Sequence, residues 1–209
     1  MIYEIGRHKV RHGDVMEGLD SLMGDAKADI LYSDPPWGEG NLKYWQTMNV
    51  KQNPGAERTE VNLLAFLNNI FDIASKYCKE ICLIEYGVRW DDLVKEYGEK
   101  HGFIHNGFAT SRYKTGNGPL PLHLHVFSRV PLNLPESYFK SIEWTYDMNT
   151  LRAAITPFIK PNYTILDPCC GMGFTAQFAI DNGLTFYGNE LSNHRIQKTL
   201  KRLRNENSK

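Results

Sequence analysis

Four consecutive residues at the end of an apolar run combine a carboxylate, two prolines and a large aromatic ring. They are Asp34, Pro35, Pro36 and Trp37, and they follow the apolar residues 30–33. The prolines restrict the backbone, so that the carboxylate and the ring are held as a rigid shelf. The carboxylate accepts hydrogen bonds from an amine, and the ring stacks on a planar group. The combination predicts a pocket for a nucleobase.

A second motif, residues 164–175 (TILDPCCGMGFT), is typical of a cofactor turn. An apolar strand ends at Asp167, and the glycines at 171 and 173 allow a ligand to approach the backbone before a helix begins. A nucleoside-bearing cofactor fits this pattern. A tight strand-to-helix turn that needs glycine for structural reasons fits it as well.

Two further acidic residues stand at predicted strand ends. Glu190 follows the next strand, 17 residues after Gly173, where a carboxylate can accept hydrogen bonds from both ribose hydroxyls. Taken alone, Glu190 is also a favourable charge at a helix N-terminus. Asp14 follows a short strand at 10–12 and is placed either to reach the cofactor or to cap the next helix.

Composition predicts one soluble, intracellular domain. The chain has 209 residues, 42% of them hydrophobic, which suits a single core spanning residues 1–209. Lys+Arg and Asp+Glu both number 24, so any affinity for nucleic acid must come from a local basic surface. No apolar run reaches membrane-spanning length, and the N-terminus lacks the apolar core of a signal peptide.

The four cysteines indicate reduced thiols rather than disulfides. Cys78, Cys82, Cys169 and Cys170 fit neither a paired CxxC zinc site nor a secreted disulfide framework. We therefore predict no metal site and a cytoplasmic location.

Alternating strand and helix patterns predict an α/β open sheet, mostly parallel, with helices on both faces. Ligands in such sheets bind beyond the carboxyl ends of the strands, where the motifs above fall. Residues 38–59 are predicted to form a long surface loop, residues 112–121 a cationic hairpin tip and residues 130–146 an extended linker. The predicted strands are 10–12, 29–33, 81–86, 103–110, 122–127, 163–166 and 184–187, and the main helices 61–74, 90–100, 148–158, 174–181 and 193–203.

These motifs and their order resemble S-adenosylmethionine-dependent amino-methyltransferases that act on nucleic-acid bases. The resemblance is carried by residues 13–14 (GD), 34–37 (DPPW) and 167–175 (DPCCGMGFT), in the permuted order where the catalytic motif comes first. It covers residues 10–37, 81–86 and 147–191, and it implies a Rossmann-like methyltransferase fold with S-adenosylmethionine as cofactor.

The resemblance implies roles for single residues. Residues 34–37 are catalytic, and residues 145–149 lie near the methionine end of the cofactor. Asp14 lies near the cofactor adenine, and Glu190 binds the ribose. The remaining cofactor-binding residues implied are Asp167, Pro168, Cys169, Gly171, Gly173 and Thr175.

The favoured interpretation is methylation of adenine N6 in DNA, because Asp rather than Ser stands at 34. Cytosine N4 and RNA adenosine N6 remain alternatives, and Trp at 37 resembles messenger-RNA adenosine methyltransferases. A non-catalytic methyltransferase-like module that binds nucleic acid or a partner is a further alternative. Methylation of a glutamine amide is disfavoured, since such enzymes place Asn where Asp34 stands.

How a target sequence is recognised is less evident, because the chain has little length for a separate recognition region. The stretches 38–59 and 112–121, a specificity partner or a homodimer are the candidates, in a prokaryotic or phage-infected cell. The candidate phosphate-binding cations are Lys43, Lys51, Arg58, Arg112, Lys114, Lys198, Lys201, Arg202 and Arg204.

Overall fold

A mixed sheet lies at the centre of the computed structural model, which describes residues 1–52, 61–116 and 118–206. Within these residues the strands are β1 (Ile2–Ile5), β2 (His8–His12), β3 (Ala28–Ser33), β4 (Cys78–Gly87), β5 (Ile104–Thr115), β6 (Gly118–Ser128), β7 (Thr164–Asp167) and β8 (Thr185–Glu190). Their order across the sheet is β1-β2-β8-β7-β3-β4-β6-β5. The pairs β2–β8, β8–β7, β7–β3 and β3–β4 are parallel, and the pairs β1–β2, β4–β6 and β5–β6 are antiparallel. The predicted α/β open sheet is confirmed.

Helices cover both faces of this sheet, as predicted. The described α-helices are α1 (Asp20–Met23), α2 (Glu39–Gln52), α3 (Leu63–Tyr77), α4 (Asp91–Lys100), α5 (Glu136–Ile142), α6 (Met148–Ile155), α7 (Phe174–Asp181) and α8 (Asn193–Glu206). Short 3-10 helices occupy Val15–Glu17, Val88–Trp90 and Thr156–Phe158.

The sheet separates two apolar cores. One core joins the sheet to α5, α6, α7 and α8 through residues such as Tyr138, Leu151 and Phe178. The other joins it to α1, α3 and α4 through residues such as Phe71 and Val94. All six residues of β3 are buried, which explains the apolar run Ile30–Tyr32 at its centre. Asp34, which follows β3 directly, is therefore held at the middle of the carboxyl edge.

Two predicted irregular stretches contain helices. Residues 38–59 were predicted as a loop, but Glu39–Gln52 is helix α2, and residues 53–59 lie outside the described residues. Its apolar face is narrow, with Leu42 as its buried apolar contact in the core, so the sequence shows no clear helical period. The predicted extended linker 130–146 contains helix α5, which buries only Tyr138 and Ile142. Seven residues are too few to display a period.

The hairpin prediction is confirmed, with longer strands than expected. Arg112 lies opposite Pro121, and Thr115 lies opposite Gly118, so the cationic segment continues the β5–β6 ladder beyond the end of β4. The four cysteines are free thiols. Among the described residues, no helix combines the length and apolar character that crossing a membrane requires.

Candidate active site

A cavity of about 420 Å³ lies at the carboxyl ends of the central parallel strands. It spans the boundary between β7 and β3, where the strand order reverses, which is the usual ligand position in open α/β sheets. Eleven of the twelve predicted catalytic and cofactor-binding residues line this cavity: Asp14, Asp34, Pro35, Pro36, Trp37, Asp167, Pro168, Cys169, Gly171, Thr175 and Glu190. The two motifs, more than 120 positions apart in the chain, therefore face one space.

Glu190 organises the turn after β7. Its two carboxylate oxygens accept hydrogen bonds from the backbone N–H of Gly171 (2.9 Å) and of Ser192 (2.7 Å). Gly171 has φ 51°, a left-handed conformation that favours glycine. Burial raises the pKa of the Glu190 carboxyl, and the two N–H donors oppose this shift. Each oxygen keeps a free lone pair after its backbone bond.

Asp167 is the most enclosed carboxylate of this turn, with 3% of its surface exposed. It accepts hydrogen bonds from the Cys169 backbone N–H (3.0 Å) and from the Thr175 hydroxyl (2.6 Å). Burial nevertheless raises its pKa to about 7. Thr175 is itself buried, so its clearest observed contact is with Asp167.

Gly173 and Asp14 also have structural duties. Gly173 has φ 81° and begins α7, and a Cβ there would lie 2.9 Å from the Cα of Thr199 in α8. It therefore provides close packing between helices and lies outside the cavity lining. Asp14 Oδ1 accepts a hydrogen bond from the Met16 N–H (2.9 Å), so it caps the 3-10 helix Val15–Glu17 while lining the cavity.

The shelf formed by residues 34–37 rests on the end of β4. Pro35 is buried, and the Asp34 side chain opens into the cavity. A Cβ at Gly87 would lie 2.5 Å from the Trp37 carbonyl oxygen, so only glycine permits this approach. The Trp37 ring lies 5.9 Å from the ring of Tyr113, tilted by 57°. Two aromatic rings thus flank the space above the Asp34 carboxylate.

The floor of the cavity is acidic. Enclosure by protein raises the pKa of Asp34 well above its usual value, and the nearby carboxylates of Glu85, Asp167 and Asp147 raise it further. Glu85 accepts hydrogen bonds from the Tyr32 hydroxyl (2.7 Å) and from the Ser111 hydroxyl, which oppose the effect of burial on its pKa. The cavity thus gathers carboxylates that repel one another when all are ionised.

Cations lie around the mouth of this acidic cavity. The Arg195 guanidinium of α8 lies 3.5 Å from the ring centroid of Trp45 in α2, which joins the two helices beside the cavity. Arg112 and Lys114 of β5 also line the cavity, as two of the predicted phosphate-binding residues. Of the others, Arg202 donates a hydrogen bond to the Met172 carbonyl (3.0 Å), and Arg58 lies outside the described residues.

Several residues of the cavity carry no motif in the sequence. Tyr113, Asp147 and Arg195 come from separate elements, and only the fold brings them together. Glu85 differs from these residues because the sequence does point to it. It is a lone carboxylate inside the apolar run 81–86, and a carboxylate in a buried strand is unusual.

Comparison with solved structures identifies the fold. No protein-family model matches the chain, and no curated protein matches it. Among solved structures, M1.HpyAVI aligns with a TM-score of 0.65 at 16% identity, over 93% of this chain and 97% of that one. The complex of S-adenosyl-L-methionine with TTHA0409 from Thermus thermophilus, for which a DNA modification methylase activity has been proposed, aligns with a TM-score of 0.62 at 17% identity, over 95% of this chain and 94% of that one. The chain has the Rossmann-like methyltransferase fold.

A third structure has the same fold and is described with its target base. PvuII DNA methyltransferase, described as cytosine-N4-specific, aligns with a TM-score of 0.63 at 10% identity, over 96% of this chain and 87% of that one. The fold of this chain is therefore shared with an enzyme described as acting on cytosine N4.

Proposed function

We propose that this protein is an S-adenosylmethionine-dependent methyltransferase that modifies the exocyclic amine of a nucleic-acid base, with adenine N6 in DNA as its substrate. The observation that carries this proposal is the meeting of the Asp34–Trp37 shelf and the Glu190 turn in one cavity. Residues 1–209 act as one methyltransferase domain.

The cofactor side of the cavity fits the nucleoside part of S-adenosylmethionine. Glu190 keeps one free lone pair on each oxygen after bonding Gly171 and Ser192, which provides two acceptors for two ribose hydroxyls. The left-handed Gly171 leaves open space, because the nearest atom to a Cβ there is 3.9 Å away. Asp14 offers its second carboxylate oxygen to the same side of the cavity.

The acidic floor fits the charge of this cofactor. S-adenosylmethionine has a sulfonium and an ammonium group against a single carboxylate, and it supplies an activated methyl group when bound. The raised pKa values of Asp34 and Asp167 indicate that the cavity favours a cation. Asp147, in the stretch expected near the methionine end, lines the cavity with φ 51° and a raised pKa.

The shelf fits the amine of a base. The Asp34 carboxylate and the Pro35 carbonyl accept hydrogen bonds from the two amine hydrogens, which aims the nitrogen lone pair away from the ring plane. Trp37 and Tyr113 offer faces on which the base stacks, a contact worth about 1–3 kcal/mol for each base. The reaction then depends on alignment, which is worth roughly 7–11 kcal/mol in well-oriented systems.

The hairpin is our candidate for holding the nucleic acid. A base in a duplex must leave the stack to reach Asp34, at a cost of a few kcal/mol. Arg112 and Lys114 stand at the cavity and on the projecting part of β5, where they can bind phosphates. A specificity partner or a homodimer would supply the remaining recognition surface.

Methyl transfer from tritiated S-adenosylmethionine to DNA and RNA tests the proposal. We expect label in DNA, and nucleoside mass spectrometry should identify N6-methyladenine; N4-methylcytosine would move the assignment to cytosine. Asp34→Ala should lower the transfer rate by about 10²–10³-fold, while Asp34→Asn, which keeps a carbonyl acceptor, should lose less. Asp25→Ala, an exposed carboxylate far from the motifs, is the matched control. Cofactor binding without transfer to any nucleic acid would refute the enzyme and favour the non-catalytic module.

A further inference from the structure

Three histidines and an aspartate meet on the face of β6 opposite to that of Leu122. Side chains alternate along a strand, so His123 and His125 point to the opposite face from Leu122, which lines the cavity. His123 Nδ1 lies 2.8 and 2.9 Å from the two carboxylate oxygens of Asp91, and His125 Nε2 lies 3.2 Å from one of them. Asp91 is the first residue of α4.

The cluster has the spacing of a metal site. One ligand atom from each of Asp91, His123 and His125 lies within 4.8 Å of the others. A tetrahedral Zn²⁺ with bonds of about 2.0–2.2 Å needs ligand atoms roughly 3.3 Å apart, so the ligand atoms would have to approach one another by at most about 1.5 Å. The ligands come from two segments more than 30 residues apart, which the fold alone unites.

A fourth residue supports one ligand from behind. His105 Nε2 lies 3.2 Å from His125 Nδ1, the ring nitrogen that does not face Asp91. Histidines that bind metals usually hydrogen-bond through their second nitrogen, which fixes the ring orientation and the tautomer. Phe108 stacks on the His123 ring at 4.3 Å and 18°, and so restrains the other ligand.

We propose that Asp91, His123 and His125 bind one divalent transition-metal ion, with Zn²⁺ as the preferred occupant. Two imidazoles and one carboxylate are the donors of zinc-type sites, whereas Mg²⁺ and Ca²⁺ take oxygen ligands. His125 is 1% exposed, whereas the side chains of His123 and Asp91 are 16% and 26% exposed, so the cluster is reached from solvent on their side. Three protein ligands leave the fourth tetrahedral position of the ion for water.

The consequence of such an ion is mechanical. It fixes the start of α4 to β6, and β6 in turn pairs with both β4 and β5 on the side of the sheet that carries the hairpin. The site is separate from the proposed methyl transfer and does not depend on it.

Calorimetric titration of the metal-free full-length protein with Zn²⁺, together with Co²⁺ absorption spectra, tests this site. We expect one ion for each chain, a Zn²⁺-dependent rise in the unfolding temperature, and Co²⁺ d–d bands without thiolate charge transfer. Asp91→Asn keeps a hydrogen-bond acceptor for the histidines but is a poor ligand, so it should lower the affinity at least 100-fold. His105→Gln should lower it about 10–100-fold, as expected for a supporting residue.

His194→Gln, which replaces an exposed histidine outside the cluster, is the matched control and should bind the ion as the wild type does. Circular dichroism verifies that each variant is folded. Absence of stoichiometric binding to the wild type would overturn the site, whatever the variants do. Equal affinity in Asp91→Asn, or cobalt–thiolate bands, would overturn it as well, and the cluster would then serve only as a hydrogen-bonded link between α4 and β6.

Discussion

Binding of S-adenosylmethionine should weaken as the pH falls from 8 to 6. Asp167 lines the cavity and has a pKa of about 7, because burial disfavours its charge. In the free protein this carboxyl therefore holds a proton at pH 6 and has lost it at pH 8. A cationic ligand favours the ionised form, so binding at pH 6 must release that proton, and the affinity must rise with pH.

The size of the effect follows from this pKa. Roughly nine-tenths of Asp167 is ionised at pH 8 and roughly one-tenth at pH 6. If the ionised form is the binding form, the affinity falls about tenfold over this range. The pKa of Asp34 is also raised by enclosure within the protein and by neighbouring carboxylates, so a cationic ligand likewise favours its ionised form.

Isothermal calorimetry in buffers of different ionisation enthalpy measures both the affinity and the protons released. S-adenosylhomocysteine, which lacks the sulfonium charge, should show a smaller dependence on pH. Asp167→Asn should flatten the dependence for both ligands. An affinity for S-adenosylmethionine that stays within twofold between pH 6 and 8, with no proton release at pH 6, would refute the reasoning that joins the acidic floor to a cationic cofactor.

Three substitutions test other parts of the site. Trp37→Ala should lower kcat/KM for DNA by about 10–100-fold through lost stacking, measured by methyl transfer, while Trp37→Phe should recover most of it. Glu190→Gln replaces one of the two acceptor oxygens by an NH₂ group, although the N–H groups of Gly171 and Ser192 and the ribose hydroxyls all need an acceptor. Calorimetry should therefore find S-adenosylmethionine bound about tenfold more weakly. Gly173→Ala should lower the free energy of unfolding by about 1–3 kcal/mol in urea titrations, because the new Cβ meets Thr199 and φ at this position is 81°. For each of the three substitutions, a measured value equal to that of the wild type would contradict the role given to the residue.

The sequence predicted the parts of the site that follow from strand ends. Asp34 follows β3 directly, Asp167 is the last residue of β7 and Glu190 is the last residue of β8, and parallel strands bring such residues to one edge. The proline motif at 34–37 and the glycine motif at 164–175 then narrowed the prediction to a nucleobase and a nucleoside-bearing cofactor. These signals are local, and a single chain displays them.

The remaining parts depend on tertiary packing. Tyr113 and Arg195 carry no local signal, because each looks like an ordinary residue of a strand or a helix. Helices α2 and α5 were missed for a related reason, since each buries so few apolar side chains that no period appears. No local pattern predicts the cluster at Asp91. Its histidines alternate with core residues along β6, and Asp91 belongs to a different element, helix α4.

The close approach of Gly87 to the Trp37 carbonyl bears on any attempt to change which base the proposed site accepts. Any side chain at 87 would push on the backbone of the shelf and displace the carboxylate of Asp34 together with the ring. Libraries that vary residues 34–37 alone exchange side chains while the backbone of the shelf stays in place. Libraries that also vary residue 87 shift that backbone. Retargeting by chemistry and retargeting by geometry are thus separable in this fold, and a glycine on a neighbouring strand is the residue that separates them.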